Sequence, residues 1–152
     1  MSNTTLQAPD LATEDLSVAI GEWCSTVRHM HECGTLSDGD SRVADRFPAK
    51  PAWAMRTTVH VEEYPVMLVE FWAGYSSGDV WVDALATHQV WTDATGPTPA
   101  DDRVRLAGDI EPEDVHVMTW PDSGVFTFAQ ANHLVALTTK LLTHLEANGV
   151  NL

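Results

Sequence analysis

The chain has 152 residues, with 22 Asp and Glu against 8 Lys and Arg, and its net charge is −14. This length matches one ordinary domain, which can bury a sizeable core without disulfides or metal. Because nucleic acids and anionic membranes are bound mainly through Lys and Arg, the charge argues against both as direct partners. The carboxylates are spread along the whole chain, a pattern typical of a highly soluble surface that also suits a basic protein partner.

The first twelve residues are polar and lack the basic start and apolar centre of a targeting signal. We therefore expect a disordered lead-in over 1–12 and a single domain over 13–152, located in the cytoplasm. No stretch approaches the roughly 20 apolar residues that span a bilayer. In a reducing compartment, the two cysteines predict thiols or metal ligands rather than a disulfide.

The amino-terminal part of the domain has helical periodicity. Apolar residues recur at helical spacing from Leu16 to Met30, which predicts a helix over about 14–29. Asp10 or Thr13 can cap its start. The segment 34–50 is rich in Gly, Asp and Ser and has weak periodicity, so we expect a loop there.

The middle of the chain alternates like β-strands. Strands are predicted over 57–63, 66–73 and 80–86, with 89–91 as an extension of the third past a bulge and turns at 64–65 and 74–79. Two more short strands, 103–107 and 115–120, bring the sheet to about five. Gly74 to Gly78 also matches Gly-x-Ser-x-Gly, but a strand-like segment follows it, so a hairpin loop is expected rather than a serine nucleophile.

The last element has the clearest helix signals. Thr127 is in position to cap its start, and Asn148-Gly149 marks its end. Its apolar side is formed by Phe128, Ala131, Leu134, Val135, Thr138, Leu141, Leu142 and Leu145. The sequence thus predicts an α+β fold, an antiparallel sheet of about five strands with an N-terminal helix and a C-terminal helix packed on one sheet face.

One short segment concentrates potential metal ligands: Cys24, His29, His31 and Cys33 are residue types that bind Zn²⁺. On a continuous helix, however, Cys24 and His31 share one face while His29 and Cys33 point to the other. A four-ligand zinc site therefore requires the helix to end near Arg28. The alternative is a surface pair of histidines at the helix end, where the helix dipole favours them, with Cys24 buried as a small apolar residue and Cys33 just beyond the end.

A family resemblance rests on the two ends of the chain. Trp23-Cys24 followed by His29, a Gly/Asp-rich loop, short strands and the closing segment 126–137 resemble small actinobacterial and actinophage proteins of uncharacterised function. Those proteins carry a Trp-Cys…His segment ahead of a short sheet and a terminal Ala/Leu helix. The resemblance implies a bacterial or phage origin and a domain type rather than an activity.

The strand register predicts a second candidate site. Pairing Trp72 with Trp81 and Glu70 with Asp83 places these four residues and His60 on the face opposite the core. The two indoles are then suited to stack on an apolar or sugar surface, while the carboxylates accept hydrogen bonds or perform acid/base work. The alternative is that the first helix or a loop covers this face, so that the indoles form a second core.

No phosphate-binding loop, dinucleotide fingerprint or zinc-protease motif defines a reaction in this sequence. We therefore expect a non-catalytic cytosolic accessory or interaction protein with an acidic surface, a protein partner that is basic, and zinc as a candidate stabilising ion. The alternative is a small-ligand binder or a small enzyme that uses His60, Glu70 and Asp83 beside the two tryptophans.

Overall fold

A computed structural model describes residues 13–92 and 115–151 of the chain. Its elements in chain order are the helices α1 (Thr13–Glu32) and α2 (Ser41–Ala44), the strands β1 (Arg56–Glu63), β2 (Val66–Ser77), β3 (Val80–Trp91) and β4 (His116–Trp120), and the helix α3 (Phe128–Ala147). Within these two ranges, no helix is both long enough and apolar enough to cross a membrane.

The four described strands form one antiparallel sheet in the order β1-β2-β3-β4. β2 and β3 stay paired over their whole length, from Val66 opposite Trp91 to Ser77 opposite Val80. Only two residues connect them, and the first, Gly78, has a φ of 61°. A type II′ turn requires a positive φ at this position, which glycine adopts without strain. The Gly-x-Ser-x-Gly segment is therefore part of a hairpin, but its first four residues continue β2 and only Gly78 lies in the turn.

Alternation along the strands gives the sheet one core face. The buried strand side chains are Val59, Met67, Val69, Phe71, Ala73, Val80, Val82, Ala84, Ala86 and Val90. The two long helices bury their apolar stripes in the same cluster, with Leu16, Ile20, Trp23, Cys24 and Val27 from α1 and Leu137, Leu141 and Leu145 from α3. The α+β class and the assignment of residues to the two sheet faces are thus confirmed.

Several predicted element boundaries differ from those in the structure. The described residues form four strands rather than about five, and the predicted strand 103–107 lies outside the described residues. β2 and β3 each have 12 residues, because pairing continues through the segment expected to be a loop. α1 runs three residues further than expected, to Glu32 rather than about residue 29, and the expected loop 34–50 contains the short helix α2.

The predicted ends of α3 are confirmed, but its predicted buried side is partly wrong. The Thr127 hydroxyl accepts from the Gln130 N–H at 3.1 Å, and the Gln130 side-chain oxygen accepts from the Thr127 N–H at 3.0 Å, which completes a capping box. The buried stripe is centred on Leu137, Leu141 and Leu145. Phe128 is 94% exposed and Val135 66% exposed, because the helix presents them to solvent rather than to the sheet.

We expect Thr127→Ala to lower the free energy of unfolding by about 1 kcal/mol, because it leaves helix N–H groups without an acceptor. Urea denaturation followed by circular dichroism measures this change. Thr139→Ala is the matched control, because Thr139 is an exposed threonine in the middle of the same helix. An equal loss in both variants would show that the cap contributes nothing.

Candidate functional site

The open face of the sheet, which lies opposite the core face, carries a chain of polar contacts. The Glu70 Oε1 atom lies 2.8 Å from His60 Nε2 and accepts from the Thr58 hydroxyl at 2.9 Å. The Thr58 hydroxyl in turn accepts from the Trp72 indole N–H at 2.9 Å. On its other side, His60 Nδ1 lies 3.4 Å from a carboxylate oxygen of Asp38. Of the predicted ligand-binding set, the structure thus links His60, Glu70 and Trp72.

The predicted pairs Trp72–Trp81 and Glu70–Asp83 are wrong. Trp72 pairs with Leu85, four residues beyond Trp81. The sequence predicts a six-residue loop between β2 and β3, whereas the structure has a two-residue turn. Because the strands stay paired up to this turn, each β2 residue pairs four residues further along β3 than predicted. Because this shift is an even number of residues, each side chain keeps its predicted face and changes only its neighbours.

Asp83 lies against the backbone of Gly74, its partner on β2. A Cβ atom on Gly74 would stand 1.7 Å from the Asp83 Oδ1 atom, so only glycine leaves room for this carboxylate. Burial raises the pKa of Asp83, and the positive charge of Arg56 opposes this shift. Asp83 is therefore a partly desolvated carboxylate in a separate part of the face from the His60–Glu70 pair.

The two tryptophans of the predicted platform have different surroundings. The Arg56 guanidinium lies over the Trp72 ring, 4.9 Å from its centroid. Trp81 instead stacks on Trp120 of β4, with ring centroids 6.0 Å apart and an interplanar angle of 11°. Both predicted tryptophans are partly buried, and both already have an aromatic or cationic neighbour. Neither tryptophan lines a cleft formed by the described residues.

The structure does not bring the four predicted metal ligands together. α1 continues to Glu32, so the helix end near Arg28 that a four-ligand site requires is not formed. Cys24 is buried, with its Sγ atom 3.9 Å from a backbone carbonyl oxygen of β3.

The other three predicted ligands lie at the exposed end of α1. His31 stacks on Tyr64, with ring centroids 3.6 Å apart, and only His29 and Cys33 approach each other, at 3.7 Å. Within 13–92 and 115–151, no three or more His, Cys, Asp or Glu side chains form a group that could hold a metal ion.

A surface that the sequence did not reveal lies at β4 and the connection to α3. It exposes five large apolar side chains, and we call this set the apolar strip: Val117 (48% exposed), Met118 (42%), Trp120 (46%), Val125 (77%) and Phe128 (94%). Trp120 lies opposite Trp81, beside the β2–β3 turn, and Gln130 at the start of α3 donates to Asp79 in that turn at 3.0 Å. The connection 121–127 therefore begins and ends at one corner of the molecule.

The two edges of the sheet differ. The outer side of β1 is covered by the loop before α2, since the Val61 N–H donates to Asp38 at 2.8 Å and the Gly39 N–H donates to the Val59 carbonyl at 3.1 Å. β4 forms the other edge, and no described residue outside the sheet makes a backbone hydrogen bond to it. Detecting this difference requires the strand order, which no local sequence pattern supplies.

Comparisons of this chain with protein-family models, with curated proteins and with solved structures give no match. The resemblance to actinobacterial and actinophage proteins stays a prediction.

We expect Asp83→Asn to stabilise the protein at pH 7 and to lose this advantage as the pH falls. The pKa of Asp83 is raised in the folded state, so the wild-type protein loses stability as the pH rises through that pKa and the carboxylate takes on a partly buried charge. The amide carries no charge at any pH and avoids this cost. Urea denaturation at pH 7 and at pH 4 compares the two proteins.

The matched control is Asp122→Asn, which removes one negative charge from an exposed position of the same acidic chain. It corrects for the general relief of charge repulsion. If Asp83→Asn is no more stable than Asp122→Asn at pH 7, burial of the Asp83 charge does not cost stability.

Proposed function

We propose that this chain is a non-catalytic binding module that docks a partner protein on the edge strand β4 and the apolar strip. The observation that carries the proposal is the exposure of large apolar side chains on and beside an edge strand of the sheet. Val117 lies on the core face of β4 whereas Met118 and Trp120 lie on the open face, so exposed apolar side chains flank this edge on both sides. Large exposed apolar side chains grouped in one region mark interaction sites. Burying one side chain such as Phe128 contributes about 1.5–3 kcal/mol to association.

The geometry of β4 suits the addition of a strand. In an antiparallel pair, every second residue of an edge strand directs its N–H and C=O groups away from its neighbour, and an extended segment of another protein can pair with them. β4 carries no Lys or Pro within His116–Trp120 to block such pairing. β1, by contrast, has the covering loop and a bulge between Val61 and Glu63. The contrast between the two edges supports β4 as the docking edge.

Charge supports a basic partner. The chain carries a net charge of −14, and an acidic field accelerates association with a positively charged surface and disfavours an acidic one. Apolar contacts at the centre and charge complementarity around them match the general composition of protein interfaces. We therefore propose a partner with an extended apolar segment flanked by Lys or Arg.

A small-ligand site on the open face has less support. Glu70 already accepts from Thr58 and contacts His60, and the Trp72 N–H is bound to Thr58. A ligand would have to replace these contacts. The β4 surface requires no such exchange.

We expect Val117→Lys to abolish partner capture, because a lysine in an edge strand introduces a charge where the partner strand must pack. Phe128→Ser, which leaves the strand unchanged, is expected to weaken capture at least tenfold, since it removes about 1.5–3 kcal/mol of burial. Affinity capture with quantitative mass spectrometry, using tagged protein in extracts of its own host, measures both changes.

Val18→Lys is the matched control, because Val18 is 60% exposed on α1 and the change adds the same charge elsewhere. The proposal requires that Val18→Lys retain the partner that Val117→Lys loses. Equal retention by all variants would contradict it. A concentration-dependent dimer in sedimentation equilibrium that Val117→Lys abolishes would replace the separate partner with a second copy of this chain.

A further inference from the structure

A second surface, remote in sequence from β4, lies between α1 and the segment that contains α2. It is a cleft of about 460 Å³, within the range of about 300–1,000 Å³ common for small-molecule sites. Its polar lining residues are Glu22, Thr26, Arg42 and Arg46, and its apolar ones are Ala19, Trp23, Val27, Met30, Val43 and Pro48. No predicted site residue lines this cleft, and neither does any residue of the apolar strip.

The floor of the cleft is held in place by internal contacts. The Trp23 indole N–H donates to the Val43 carbonyl at 2.9 Å, which ties α1 to α2. The Trp23 ring also packs edge-on against Phe47, with centroids 4.9 Å apart. Trp23, Val27 and Val43 are at most 5% exposed, so they fix the packing beneath the cleft, and its accessible apolar lining comes from the partly exposed Ala19, Met30 and Pro48. An occupant would therefore meet a preformed surface and would not need to create one.

The cationic side of the cleft has one side chain without a partner. Arg42 is occupied, because its guanidinium contacts Asp40 at 2.6 Å and donates to the Thr35 carbonyl at 3.0 Å. This contact holds the pKa of Asp40 well below its usual range. Arg46 makes no hydrogen bond or ion pair with any residue in the described part of the chain. An exposed guanidinium without a partner among the described residues is free to pair with a bound anion.

Basic residues are also concentrated in this part of the sequence. Four of the 8 Lys and Arg residues, Arg42, Arg46, Lys50 and Arg56, fall within 42–56, where Asp45 is the one acidic residue. Lys50 and Arg56 line a neighbouring, smaller cleft of about 240 Å³. Because Arg42 is paired with Asp40, the charge balance of this segment comes from Arg46, Lys50 and Arg56 against Asp45, and it is positive in a chain that is acidic as a whole.

We propose that the α1–α2 cleft binds a small amphiphile with an apolar tail and a single negatively charged head group, such as a medium-chain carboxylic acid. The tail lies on Ala19, Met30 and Pro48, the partly exposed apolar residues of the lining, and the head group pairs with Arg46. Glu22 lies among the same lining residues and disfavours a second negative charge, which restricts the head to one. This site does not depend on the function proposed for β4.

The test uses decanoate, below its micelle concentration, as the probe, and decyltrimethylammonium as the probe of opposite charge. Isothermal titration calorimetry is expected to show saturable binding of one decanoate per chain and at least tenfold weaker binding of the cation. Methyl NMR locates the probe, because Met30 lines the cleft whereas Met118 lies in the apolar strip. We expect the Met30 signal to shift and the Met118 signal to stay unchanged.

Three exposed substitutions, each of which removes one charge, test the pairing. Arg46→Gln should weaken decanoate binding about tenfold. Glu22→Gln should strengthen it about two- to fivefold, because it removes a repulsive charge. Lys50→Gln is the matched control, since it removes a positive charge from the same segment but outside this cleft, and it should leave the affinity unchanged.

Thr26→Phe provides a variant that acts by shape and not by charge. Thr26 is exposed and lines the cleft, so a phenyl ring there should fill the site and abolish binding while the fold is retained. The proposal is overturned if decanoate gives no saturable heat, if both probes bind equally, if Met118 shifts instead of Met30, or if Arg46→Gln and Lys50→Gln bind alike.

Discussion

The two-residue turn between β2 and β3 is the constraint on which the rest of the structure depends. Because Gly78 and Asp79 alone connect the strands, the register is fixed from Ser77 opposite Val80 to Val66 opposite Trp91. A slip of one residue would exchange the buried valines for the carboxylates of the open face. The same turn accepts a hydrogen bond from Gln130, so it also anchors the start of α3 over the sheet.

Each proposed surface follows from this arrangement. With both long helices buried in one core, the sheet has one face and one edge without a described element packed against them. The loop before α2 closes the β1 edge through Asp38 and Gly39, and the same part of the chain places Arg42 and Arg46 beside α1. The segment that protects one edge of the sheet therefore also builds the cleft, while no element in the described part of the chain covers β4.

Particular residues show which features of the fold and the site could be predicted from the sequence. The faces of Val69, Phe71 and Val82 were predicted correctly, because alternation depends only on the local backbone. The contact between His60 and Glu70 was not predicted, because it joins neighbouring strands and depends on the β1–β2 register. That register is regular from Arg56 to Val61, so Val59 and Val61 share the core face by alternation, and a bulge adds a residue to β1 only after Val61.

The sequence by itself determined the local properties of this protein: its acidic charge, the Thr127 cap of α3, the strand alternation and the α+β class. Each of these depends on residues a few positions apart or on composition alone. Only the tertiary structure decided that α1 continues past Arg28 and separates the predicted metal ligands, that Phe128 is exposed, and that Arg46 lies beside a cleft. These features depend on contacts between segments that are distant in the sequence. Such contacts are decided by the order of the strands and the rotation of the helices, which no local sequence pattern encodes.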